Sequence, residues 1–250
     1  TLEAALKVSL DSSGSPVGLA GRFGIDGELD FQGLKITKLE LGAGFGANDA
    51  YLYGKAAGKS DVADLDAAVF LGKTCDPDVL TRTDPSVGAT LTRAGQASPG
   101  SDFALPSSAK PLYGIYAYGG GAISVNSLIG IPPSCFLNIK AGGGSGYGVF
   151  YRGNSLAPVM RQTYSISGEV LCICDIGATL DMTAAVVIAK LPNQSVFDAL
   201  KNATLAGQAS ANFTIEVGID PFSVEFDKTF TLYFSLNKNQ SPPLKLDYDL

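Results

Sequence analysis

Ala209-Ser-Ala-Asn-Phe-Thr-Ile-Glu-Val-Gly-Ile219 places an apolar side chain at every odd position and Ser210, Asn212, Thr214, Glu216 and Gly218 between them. A period of two marks an extended strand, whose successive side chains point to opposite faces. After Asp220-Pro221 the pattern resumes through Val224, Phe226, Phe230, Leu232, Phe234 and Leu236, with Lys228 interrupting the row. The two stretches predict long antiparallel strands joined by an Asp-Pro turn, one face on a core and the other in water. Lys228 predicts a bulge or a strand end.

The same period runs upstream. Leu6, Val8 and Leu10 alternate before Asp11–Pro16, and Val17, Leu19, Phe23 and Ile25 alternate before Asp26-Gly27. Leu29, Phe31, Leu34, Ile36, Leu39 and Leu41 follow with a phase shift, and Ala63, Leu65, Ala67, Val69 and Leu71 lead to Cys75. Further strands are predicted over 112–118, 122–129, 135–141 and 147–151, and through Leu180, Met182, Ala184, Val186 and Ile188. Val170–Ile176 is apolar on both faces apart from Asp175, which predicts a central strand covered twice. Residues 76–111 break the period. Asp76 and Asp84 each precede a Pro and predict caps of short helical turns, and 93–111, rich in Ser, Gly, Ala and Pro, predicts an exposed loop. Only 194–205 predicts a helix proper, with Ser195 and Asp198 as a capping box. The expected fold is all-β: antiparallel meander sheets packed as a large β-sandwich, with one short helix near 194–205. One domain, 1–250, is expected, with a possible subdivision into 1–92 and 112–250 across the loop.

Composition excludes several functions. The chain has 250 residues, 18 basic against 24 acidic side chains, no His and no Trp. A charge of −6 without a basic cluster argues against a nucleic-acid partner. Without His, neither a Ser-His-Asp nor a Cys-His nucleophile can be assembled, and no residue set calls for a cofactor or metal. The longest uncharged run, 111–139, holds too many Gly, Pro and polar residues for a spanning helix. A transmembrane β-barrel shares the alternation. The absence of Trp, the paired Cys positions and a second face bearing Asn, Glu and Lys count against it.

Cys75, Cys135, Cys172 and Cys174 lack C-x-x-C spacing. Cys172 and Cys174 are i, i+2 and would project from one strand face, each bridging to one of Cys75 and Cys135. Four buried thiols are the alternative. The sequons at Asn193, Asn202, Asn212 and Asn239 point to the same oxidising compartment, and Asn212 falls on a polar strand face where a glycan would point outward.

Other motifs carry less. Gly42–Ala47 formally fits a dinucleotide fingerprint but is followed by alternating residues where that motif needs a helix. Gly142–Gly146 predicts a flexible hairpin. The groups Asp61, Asp64, Asp66 and Asp76, Asp78, Asp84 lack calcium-loop spacing. Tyr113, Tyr116, Tyr118, Tyr147 and Tyr151, set among glycines, form a candidate binding surface for sugars or another protein, or ordinary cross-strand pairs. The terminal strands, ending in Leu244, Leu246, Tyr248 and Leu250, close their own sheet or add to a neighbour's edge.

The functional expectation is a non-enzymatic, secreted structural or cell-surface glycoprotein, extracellular, self-associating as a filament or surface-layer subunit or binding other surface proteins. A carbohydrate- or apolar-ligand-binding module is the alternative.

Overall fold

The computed structural model describes residues 1–31, 34–47, 49–104, 110–130, 137–219 and 222–249. Its wall is one antiparallel sheet of twelve strands in sequence order. They are β1 (Leu2–Leu10), β2 (Pro16–Phe31), β3 (Leu34–Gly46), β4 (Ala50–Lys59), β5 (Ala63–Thr74), β6 (Leu112–Ser124), β7 (Leu137–Arg152), β8 (Ser155–Val170), β9 (Cys174–Ala189), β10 (Thr204–Ile219), β11 (Phe222–Leu236) and β12 (Leu244–Asp249). The all-β meander is therefore present, built as a single hydrogen-bonded sheet. Among the described residues β1 pairs only with β2, and β12 only with the 231–236 half of β11.

The sheet is strongly curled. A single cavity touches Thr37 of β3 and Asp181 of β9, six strands apart, which in a flat sheet would be about 29 Å. Inside the curl lie α1 (Pro77–Thr83) and α2 (Pro85–Ala97), followed by a 3-10 turn at Asp102–Ala104. Each helix starts where its sequence says it should. The Asp76 carboxylate accepts from the Asp78 N–H, the Asp84 carboxylate accepts from Ser86 and Val87, and a Pro opens each first turn. Val79, Leu80, Val87, Leu91, Ala94 and Phe103 of this plug meet Phe70, Tyr116, Phe150, Ala157, Val159 and Val187 of the wall in one buried cluster. The core thus sits between helices and sheet, not between two sheets.

Several expectations change here. Residues 93–104 are not an exposed loop: α2 runs to Ala97, and Ala94, Ser98, Ser101, Asp102 and Phe103 are buried. Their small, polar side chains suit a helix packed closely inside a curved wall. Helices other than α4 (Val196–Lys201) exist, including α3 (Val125–Leu128) where a strand was expected. Gly142–Gly146 lies in mid-strand β7, not in a hairpin. There a Cβ on Gly144 or Gly146 would collide with the Tyr118 or Tyr116 ring laid across it. The 170–176 run contains the β8–β9 turn, at 171–173, with Leu171 and Cys172 at positive φ. An uninterrupted apolar run lacks turn residues, so sequence offers no signal for a reversal there. The β10–β11 register passes Lys228 without a shift, so no bulge forms. The Asp220-Pro221 turn, 105–109 and Leu250 lie outside the described residues.

Candidate functional site

The decisive feature is which face of the sheet is wet. Following the register across neighbouring strands, Leu52, Leu71, Ile115, Val149 and Pro158 share one face, as do Leu180, Ala211 and Phe230. That face points outward. Leu52 is 54% exposed, Leu71 51%, Ile115 57%, Phe213 46% and Leu232 43%. The odd row, described from Ala209 to Val217, is the uncovered one, although the alternation predicts that it meets a core, and the polar row between faces inward. The total accessible surface is 14121 Å², against about 10,500 Å² for a folded water-soluble monomer of this mass. Soluble monomers rarely expose a contiguous apolar patch above a few hundred Å². Here the apolar rows run continuously over the strands.

Polar groups on this outward face satisfy one another. Ser145 donates to the Gln162 side-chain oxygen at 2.9 Å, and the Gln162 amide donates to the Tyr147 hydroxyl at 3.1 Å. Of the charges in the outward rows, Lys73 sits at a strand end and donates to the Ala47 carbonyl, and Lys228 lies 5.8 Å from the Phe230 ring. Tyr113 and Tyr151 stand side by side near one rim, ring centroids 6.2 Å apart.

The inward face is the opposite. Arg161 on β8 sits between the plug and the wall. Its guanidinium reaches Asp84 of the plug at 2.9 Å and Asp181 of β9 at 2.7 Å, and lies 4.6 Å from the Tyr118 ring. Asp84 has no exposed side-chain surface, and it also accepts from the Tyr116 hydroxyl. Burial resists charge on Arg161, but the hydrogen bonds to Asp181 and the Asp84 charge outweigh it and hold the guanidinium cationic. Burial and the Asp84 charge push the Tyr116 phenol up, so it stays a donor. A second tie fastens the plug at the other rim. Lys110 pairs with Asp102 at 2.9 Å, and the Asn154 N–H donates to Asp102 at 2.7 Å. Asn237 and Gln240 both donate to the Ala97 carbonyl, and the Arg93 guanidinium lies 3.6 Å from the Tyr233 ring.

Beside the Arg161 tie lies a cup of about 410 Å³, lined in part by Lys59, Asp64, Asp66, Arg161, Thr163 and Asp181. Asp64 pairs with Lys140 at 2.8 Å. Burial pushes the Asp66 carboxyl up despite Lys55 and Arg161 nearby. The folded state therefore binds the Asp66 proton more tightly than the unfolded chain does. Its contribution becomes unfavourable as pH rises from the ordinary carboxylate value of about 3.9 through the raised folded value, and stays so above it. Asp66→Asn should stabilise the fold at pH 7 and have little effect near pH 3, as read by denaturant titration at each pH. A variant less stable than the parent at pH 7 would contradict this.

The chain matches no family model, no curated protein and no solved structure. Its chemistry must be read from the geometry.

The five tyrosines do not form one surface. Tyr113, Tyr147 and Tyr151 point outward, while Tyr116 and Tyr118 are buried inward. They sit at both odd and even positions of their strands, so alternation sends them to opposite faces. Cys75 and Cys174 are free thiols, so the two-bridge scheme fails. Cys172, in the turn and not on the strand face of Cys174, is disulfide-bonded, and Cys135 lies outside the described residues. Asn193, Asn202 and Asn239 are exposed. Asn212 points inward, its amide donating to Asp227 at 2.7 Å and to Thr229 at 2.9 Å, a different placement from the outward one expected. Asp76 and Asp84 are helix caps and Asp64 an ion-pair partner. Among the described residues no acidic or thiol group of three gathers as a metal site. Sequence reasoning missed Arg161. It lies three residues beyond Pro158 in a mixed stretch, and only the fold brings Asp84 to it across 77 residues.

Proposed function

We propose that this protein is a non-enzymatic, membrane-embedded β-barrel-type protein of the cell surface, its outward rows facing acyl chains and its helical hairpin plugging the interior. One observation carries the reading: the continuous apolar face is bare, while the plug, the core and the Arg161–Asp84–Asp181 ion pairs lie within the curl. Acyl chains are the medium in which that arrangement is favourable. Among the described residues no helix is long and apolar enough to cross a membrane, and in the proposed arrangement strands make the crossing. Five strands have 16 residues, or about 53 Å each, ample for a hydrocarbon layer of about 30 Å even when tilted. The Ser145–Gln162–Tyr147 chain supports the same view, since polar groups facing lipid must find partners within the protein. The disulfide at Cys172 supports a compartment outside the reducing cytosol.

Flotation tests the proposal. Protein refolded with phospholipid vesicles should rise with them in a density gradient and stay bound after an alkaline carbonate wash. A chain that remains soluble and monodisperse without detergent would overturn it. The unpaired edges of β1 and β12 favour a second reading, a water-soluble subunit that assembles edge to edge. That reading requires detergent-free soluble oligomers in the same experiment.

A further inference from the structure

The plug is eccentric. It packs on the wall from β4 to β11, where inward side chains such as Phe70, Tyr116, Phe150, Val159 and Val187 are almost completely buried. Opposite β1, β2 and β3 it leaves space. Two cavities with charged linings lie there, about 290 Å³ between α1 and β1, β2 and β4, and about 120 Å³ on the inner face of β1, β2 and β3. Arg22 lines both.

We propose that this gap is a passage for small hydrated inorganic ions, running along the strands between α1 and the inner face of β1–β3, with Arg22 shared by both cavities. The inference rests on the membrane reading, because only a lipid-bounded wall makes the gap a conduit. The lining is charged along its length. Asp26, Lys38 and Glu3 line the cavity of about 120 Å³, Lys7, Arg82 and Asp78 that of about 290 Å³, and Arg22 lines both. Charges of both signs line the path, which suits ions of either sign. Arg22 keeps 37% of its side-chain surface exposed while lying 3.6 Å from Glu3. It is tethered at the wall, yet open to water. Tyr53, anchored by donation to Glu40 at 2.8 Å, and Arg82 of α1 form the facing side of the larger cavity. Over part of the β6–β7 wall the interior is closed. There aromatic rings close against inward glycines, the Tyr118 ring over Gly144 and the Phe150 ring over Gly114.

The experiment uses proteoliposomes already shown to float, loaded with KCl, and follows ion efflux. The parent should release ions well above protein-free vesicles. Arg22→Cys treated with a bulky cationic thiol reagent should lose at least about five-fold of that flux, whereas the treated parent, with its own free thiols, should keep it. Floating protein without flux, or flux unchanged when residue 22 is modified, would overturn the passage and leave the membrane reading intact. Failure to float would instead overturn the membrane reading and the passage with it.

Discussion

Leu180→Arg should lower the unfolding free energy of the vesicle-inserted protein by about 2–4 kcal/mol, the depth-dependent cost of a guanidinium on the lipid face of a membrane sheet. Leu180 lies mid-strand in β9, opposite Tyr164 and Ala211, and 37% of it is exposed. On a sheet facing water the same change would fall within about 0.5 kcal/mol, as surface substitutions away from special features do. The two surroundings therefore predict results that differ several-fold. Urea-driven unfolding from vesicles, followed by circular dichroism, reads the difference. A cost below about 1 kcal/mol would mean that this face meets water or protein, not lipid.

The second large effect belongs to the interior. Arg161→Met should destabilise by about 3–5 kcal/mol, because it strands the fully enclosed Asp84 carboxylate without its cation. The Tyr116 hydroxyl and the α2 N–H groups still donate to Asp84, so the lower part of that range is expected. Adding Asp84→Asn removes the charge while its side-chain oxygen still caps α2. The double variant should regain much of the loss, in the non-additive pattern of directly coupled residues. If Arg161→Met alone were neutral, or if the double variant lost as much as the two single changes summed, Arg161 would not be tying plug to wall. Because plug and wall share one core, circular dichroism and proteolysis within 76–104 should report the same transition.

The alternation in 209–219 and 224–236 was enough to predict β10 and β11, and the Asp-Pro pairs at 76 and 84 were enough to predict two helix starts. Those are local matters of backbone period and capping, and one short window contains all the physics involved. Register errors had local causes too. Glycines 142–146 looked like a turn because a glycine spared for a neighbouring aromatic ring reads the same as one needed for a bend. The apolar 170–176 run looked like a strand because no residue type in it announces a reversal.

What alternation could not decide is which side of each strand is wet. A row of Leu, Ile and Phe and a row of Ser, Asn and Glu define two faces, and both assignments fit the same sequence. The choice rests on where 76–104 goes. Once the α1–α2 hairpin docks on the face holding Phe70, Phe150 and Val159, the space within the curl is filled and the other face is left bare. Docking depends on contacts far apart in the chain, such as Arg161 with Asp84 and Asn237 with Ala97. Sequence therefore determined that this protein is made of two-faced ribbons. Only the tertiary structure decided that the greasy face looks out, because burial is a property of what packs against a surface and not of the residues that make it.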